Sequence, residues 1–250
     1  PAAASPAPSL TVSGKRSKPP SPSPSPSTEA ATVARRVPAE RIAADEARFV
    51  ELDVTETDEA GEERTNVLRR MTLQARSDVR YARALRDRMH AVEDEKMASR
   101  FARMLRWNED ADFVAEMRDL ALEGESARER RTALLALESK SVDVWWEPAV
   151  KAYRVDASPA VRDEAAGVLG RHLSDRRYVR THAGIRSVLK EGTESDEATD
   201  RARALRSMLA DRTATEAELD WARALRHDPD ETVRREVDRF LRVQTARVQR

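Results

Sequence analysis

The sequence predicts an all-α fold: a stack of about five helix pairs on an N-terminal helical cap, preceded by a Pro/Ser-rich arm. Three observations support this. Charged residues make up 36% of the 250 residues and aromatics only 4%, a balance rich in helix-formers and poor in the residues that fill strands. Runs of Val, Ile, Thr and Tyr alternating at period two are absent, whereas apolar residues recur at helical spacing along most of the chain. That helical pattern itself recurs at intervals in the thirties. Such a period marks a solenoid, in which each unit buries its apolar stripe only by stacking on its neighbours.

The arm comes first. Residues 1–37 contain PAAASPAPS and then KPPSPSPSPS, and this Pro-Ser alternation cannot form a helix ladder. It predicts a disordered, polyproline-like spacer. The chain begins at Pro1 rather than Met; with the long spacer, this favours a bacterial protein held at the envelope by an upstream anchor and facing the periplasm. Residues 9–16, SLTVSGKR, are similar to the Leu-Thr-Val-Gly-Ser-Leu-Arg type of docking peptide that loads cargo into bacterial encapsulin shells. They depart from it after Leu-Thr-Val. That resemblance implies an alternative, a cargo or accessory protein addressed by its arm.

Residues 38–76 form the predicted cap. Pro38 suits a first helical turn, and Ile42, Phe49 and Leu52 can share one helix face. Seven acids follow, Glu51, Asp53, Glu56, Asp58, Glu59, Glu62 and Glu63, with no basic residue among them. Their spacing lacks the glycine and terminal glutamate of a calcium loop. They read as a solvated connection with an acidic helix start, or as a docking site for a basic partner.

Residues 77–250 carry the repeat. DASPAVRDEAAGVLGRHL (156–173) and DPDETVRREVDRFLR (228–242) align without a gap at an offset of 72. Asp156 falls on Asp228, Val161 on Val233, Arg162 on Arg234, Ala165 on Val237, Val168 on Phe240 and Leu169 on Leu241. This spacing lays one apolar stripe along a helix. Between them, residues 193–205 align at an offset of 37, with Ala198, Ala202 and Leu205 on the stripe and Arg206 in place of Leu169. Upstream, residues 124–137 place Arg130, Ala133, Ala136 and Leu137 in register, and Met97, Phe101, Met104 and Leu105 continue the stripe without an arginine. First helices are expected over 112–122, 145–153, 177–189 and 216–225, the last opening with Thr215 and Glu218 in capping-box spacing. The polar run RVQTARVQR at the end suits a terminal cap.

The pattern Asp-x-x-x-x-Val-Arg-x-x-Ala/Val-x-x-x-Leu after a short Asp/Pro turn resembles the short HEAT-like repeats of bacterial scaffold proteins. The resemblance is good over 156–173 and 228–242, fair over 124–138 and loose elsewhere. It implies a right-handed α-α solenoid and leaves function open, because the families built this way include lyase subunits, glycosylases, adaptors and scaffolds. Arg130, Arg162 and Arg234 either brace the acidic turns of their own and adjacent units or form a row that faces a partner.

The remaining chemistry is mostly exclusion. Basic and acidic residues number 45 each; residues 1–28 hold three of the basic ones and none of the acidic. The folded part therefore has no basic excess, which disfavours nucleic acid as the main partner. Cysteine is absent, which removes disulfides and thiolate chemistry. No apolar run is long enough to span a membrane. The seven glycines are scattered and form no phosphate loop, so no cofactor is expected. His90, His172, His182 and His227 show no metal-ligand spacing. Asp87 and His90 are spaced faintly like a di-iron half-site without its other carboxylates, and His90 reads as solvated.

Trp145 and Trp146 are adjacent and cannot both be buried on one helix face. With Arg130, Arg162 and Arg234 they are the candidate partner-binding residues. HEAT-like DNA glycosylases use tryptophans and an aspartate on a basic concave face. That reading is the alternative to a non-catalytic scaffold or adaptor that binds another protein, and here no basic face or catalytic aspartate can be placed by motif.

Overall fold

Six helix pairs follow one another along the chain. The computed structural model describes residues 28–53, 57–209 and 214–248, and every regular element among them is helical. The pairs are α1 (Thr28–Asp53) with α2 (Asp58–Ser77), α3 (Val79–Ala91) with α4 (Glu95–Leu105), and α5 (Ala111–Glu123) with α6 (Ala127–Leu137). They continue with α7 (Val142–Val155) and α8 (Pro159–Ser174), α9 (His182–Thr193) and α10 (Ala198–Met208), and α11 (Glu216–Ala224) and α12 (Glu231–Val248). The docking-peptide stretch 9–16 and the Pro/Ser run lie outside the described residues, as does Glu56 of the acidic segment.

Side chains in the connections start most helices. Asp78, Asp94 and Asp110 accept hydrogen bonds from the first-turn N–H groups of α3, α4 and α5, satisfying donors that a helix start leaves open. Ser126 with Glu129, and Thr215 with Glu218, form reciprocal capping boxes; the second is the one its spacing predicts. Pro159 opens α8, where its missing N–H costs nothing.

Second helices α4, α6, α8, α10 and α12 each touch the next, while first helices meet most closely at α1–α3 and α5–α7. The row of second helices is continuous from α2 to α12 and is called the inner row. The predicted stripes form the core between the rows: Val161, Ala165, Val168 and Leu169, then Val233, Val237 and Phe240, are fully enclosed. Ile42, Phe49 and Leu52 are buried as expected. At Gly170 of α8 a Cβ would come 2.4 Å from the Ser207 carbonyl oxygen of α10, so the two backbones touch where side chains would separate them.

Three local expectations change. α1 begins at Thr28, so Pro38 lies inside it rather than at its first turn. Residues 28–37, TEAATVARRV, supply strong helix-formers that carry the helix upstream although a proline withholds one backbone bond. The expected first helix over 177–189 is interrupted. A 3-10 turn occupies Arg176–Thr181, with Tyr178 at φ −107°, ψ 21°, before α9 starts at His182. Tyr178 is held there by its ring contacts and by its hydroxyl, which donates to the Lys140 carbonyl at 3.2 Å. Third, the clamping arginine of α10 stands two positions from the aligned one: Arg201, not Thr199, is the counterpart of Arg162, while Ala202 and Leu205 of the expected stripe are enclosed together with Ala204 and Met208, and Ala198 is half-buried.

Candidate functional site

The repeated arginines hold the turns between first and second helices. Arg130, Arg162, Arg201 and Arg234 each donate from Nη1 to the carbonyl six residues earlier, Gly124, Asp156, Ser195 and Asp228, at 2.7, 2.6, 2.8 and 2.6 Å. Two of them also reach the next unit. Arg130 donates twice to Asp156 (2.7 and 3.0 Å), and Arg201 twice to Asp228 (2.7 and 2.9 Å). Arg162 stands 3.6 Å from Asp200. Arg201's hydrogen bond, against the effect of burial, holds the Asp228 carboxyl below its ordinary range. Planar guanidinium groups suit this double task of backbone cap and bidentate partner. Arg130, Arg162 and Arg234 are thus engaged inside the stack.

The tryptophans divide. Trp145 of α7 is 1% exposed and stacks on His172 of α8, with centroids 3.9 Å apart and planes 7° from parallel. Tyr178 stands edge-on to it at 5.9 Å. Burial pushes His172 down to about 4. Trp146 is half-buried on the first-helix row and packs over Gly184 of α9, where an added Cβ would come 3.1 Å from its ring. A glycosylase-type site needs a tryptophan beside an acid on a basic face. Here Trp145 is in the core, and Trp146 sits on the first-helix row, away from the arginines of the second-helix row.

Charge along both rows is largely paired between units. On the first-helix row Arg83 meets Glu116, Arg118 meets Glu147, Arg154 meets Glu191 at 2.7 Å, and Arg186 meets Glu218 at 3.3 Å. On the second-helix row Arg131 lies between Glu95 (3.1 Å) and Glu164 (3.6 Å), Arg171 joins Glu138, Arg203 joins Asp163, and Arg206 approaches Glu236 at 3.7 Å. Each α4-to-α12 junction on this inner row is bridged by such a pair, which sets register between helices that carry few large side chains.

The first two second helices differ. Arg69 and Arg76 of α2, and Lys96 and Arg103 of α4, are exposed and have no acidic partner among the described residues. Beside them Leu73 is 54% exposed and Trp107 43%, the latter with Arg106 over its ring at 4.7 Å. Sequence reasoning missed these residues. A signal was present: Arg69, Arg76 and Arg103 have no acid three or four positions away, unusual in a chain so rich in acids.

The other concavities are mixed or polar, except an apolar one on α7 lined by Trp146, Val150 and Val155. A groove of about 670 Å³ between α3 and α5 is lined by Arg83, Arg86, Asp87, Glu116 and Asp119, with His90 at its base. Both His90 ring nitrogens are out of solvent without a hydrogen-bond partner among the described residues, and burial lowers the ring's pKa. The ring nitrogens are therefore shielded, and not solvated as the sequence context suggested, because residues of α5 and α6 pack beside the ring at the floor of this groove. Among the described residues no three His, Asp or Glu gather as a metal site, and no helix is long and apolar enough to cross a membrane.

No family model matches the chain, and no curated protein matches it. Among solved structures it is similar to a designed armadillo repeat protein in complex with the peptide (KR)4, at 14% identity and TM-score 0.44, covering 79% of this chain and 98% of that one. It is also similar to an engineered protein at 16% identity and TM-score 0.42, covering 79% and 95%. A further designed armadillo repeat protein gives 14% and 0.40, covering 78% and 98%. By its own paired helices, two stacked rows and repeated turn clamps, the chain folds as a HEAT/armadillo-like α-α solenoid.

Proposed function

We propose that the chain is a non-catalytic interaction scaffold that holds a partner protein along its row of second helices. The observation that carries this reading is the arginine-lined inner row. Arg131, Arg171 and Arg206 recur across successive units, each partly exposed beside an acid of a neighbouring helix, while Arg203 is enclosed against Asp163. Guanidinium groups already fixed by neighbours lose little rotamer freedom when a partner adds a hydrogen bond, and arginine is enriched at interface centres.

Immobilised full-length chain, exposed to native bacterial extract and washed at about 0.15 M salt, should retain a partner. Hydrogen exchange on the recovered complex should then slow along α4 to α12. Protection confined to the first-helix row would move the interface to the other side. Capture that disappears when residues 1–27 are deleted would make the arm the binding element and favour the arm-addressed reading. Retention of nothing would defeat the scaffold reading.

A further inference from the structure

We propose that the exposed face of α2 and α4 is the docking site for a short, extended, acidic segment of that partner; this rests on the scaffold reading above. On α2 the buried stripe runs through Ala60, Val67, Met71 and Ala75, and Arg69, Leu73 and Arg76 project from the opposite side. On α4 the buried residues Met97, Ala98, Phe101, Ala102 and Leu105 leave Lys96 and Arg103 facing out. Arg69 and Arg76 are two turns apart, as are Lys96 and Arg103, so each pair spans about 10 Å along its axis.

The two helices are neighbours in one row and run in the same direction, with axes about 9 Å apart. Asn108 Nδ2 donates to the Ala75 carbonyl at 2.7 Å, which fixes the stagger so that Arg103 falls level with the stretch between Arg69 and Arg76. Arg69, Arg103 and Arg76 thus flank Leu73 within about 10 Å along the axes and about 9 Å across them, with Trp107 at the Arg76 end, while Lys96, two turns before Arg103, lies level with the first half of α2.

Elsewhere on the inner row arginines meet acids of the next unit. Here none does, and the charge is open to a partner. An extended chain places every second side chain about 6.6 Å apart on one face, so two or three alternating carboxylates match the frame, and an intervening apolar side chain meets Leu73 and Trp107. The patch is also bounded. Asp58, Glu59 and Glu62 are exposed at the start of the same helix and repel any polyanion longer than the patch. A nucleic acid strand would run into them, whereas a short acidic peptide need not.

The test uses full-length protein and a fluorescein-labelled decapeptide of alternating Glu and Ser with one central Leu, at about 50 mM salt. Comparators are the same peptide with Gln for Glu and an oligothymidylate of equal charge. Arg76→Glu/Arg103→Glu should weaken binding of the Glu peptide by about tenfold or more, with an unchanged helical spectrum. Arg226→Glu/Arg242→Glu makes the same change in net charge at exposed, unpaired positions far along the stack, and should leave binding within about twofold.

Equal binding of the Gln peptide, or equal loss in both double variants, overturns the proposal. Tighter binding of the oligothymidylate, lost in Arg76→Glu/Arg103→Glu, would assign the patch to nucleic acid and also overturn it. If the Glu peptide does not bind while captured partner still protects α4 to α12, the scaffold stands and this site alone falls.

Discussion

Arg130 and Asp156 belong to consecutive repeats and share two hydrogen bonds, Nε to Oδ2 at 2.7 Å and Nη2 to Oδ1 at 3.0 Å. The carbonyl of the same Asp156 accepts from Arg162 of its own repeat. One turn residue is therefore gripped from both sides, by its side chain from the preceding unit and by its backbone from its own. Asp228 repeats the arrangement with Arg201 and Arg234.

Removing one partner of such a pair leaves the other charged and enclosed. The Asp156 and Asp228 side chains are 7% and 4% exposed. Arg130→Ala and Arg201→Ala should each destabilise the stack by about 3 kcal/mol, and Arg130→Ala/Asp156→Ala by less than the sum of its two single variants. Urea titration of the four members of the cycle measures this. Additive losses would show that the pair contributes no coupling.

The Trp145–His172 stack makes stability depend on pH. His172 has its folded-state pKa lowered from 6.5 to about 4, chiefly by burial; Glu138 and Asp175 oppose this and Arg171 adds to it. The unfolded chain therefore binds more protons between these values, and stability falls as pH drops from 6.5 to about 4, by roughly 3 kcal/mol in all. His90, lowered by burial as well, acts in the same direction. Denaturation midpoints followed by tryptophan fluorescence should fall across this window, and the slope should flatten in His172→Phe. Below 3.8 the lowered Asp228 carboxyl adds a separate loss as it is protonated.

Two glycines should respond with opposite sign to alanine. Gly61 lies within α2 with nothing within 4 Å of an added Cβ, so Gly61→Ala should stabilise by about 0.5–1 kcal/mol through helix propensity. At Gly170 the added carbon would meet the Ser207 carbonyl at 2.4 Å. Gly170→Ala should force α8 and α10 apart and cost about 2–3 kcal/mol. Thermal melts of both variants give the comparison directly.

Truncating the tryptophans should separate packing from surface. Trp145→Ala removes an enclosed ring and should cost about 3–5 kcal/mol. Trp107→Ala should change stability by less than about 0.5 kcal/mol. If Trp107→Ala unfolded the protein, its ring would belong to the core and could not serve a docking patch.

Much of this fold is legible along the chain because a solenoid is nearly one-dimensional: each unit's apolar stripe is a local pattern, and the pattern recurs. Val161, Ala165 and Leu169 announce one face of a helix, their counterparts 72 positions on announce another, and Thr215 with Glu218 announces a start. Ala202 and Leu205 announce the enclosed face of α10 in the same way. Ala204 is enclosed beside them, so alanine spacing does not place the turn clamp, and only the reach of Arg201 to Ser195 and Asp228 does. The break at Tyr178 was equally hidden, since its conformation is held by Trp145, His172 and Lys140, residues far apart in sequence.

The sequence by itself determined that this protein is all helix, that its helices come in pairs, and that each pair needs its neighbours, because periodicity and capping are properties of adjacent residues. Tertiary structure alone decided which charges are spent and which are open. Arg130, Arg162 and Arg234 look like a row facing outward until their carbonyl and carboxylate partners are in place. Arg69, Arg76, Lys96 and Arg103 look like ordinary surface charges until the acids that pair with arginine elsewhere are seen to be missing around them. Whether a guanidinium is a brace or a binding group depends on what lies within 3 to 4 Å of it, and only the stacking of distant repeats sets that.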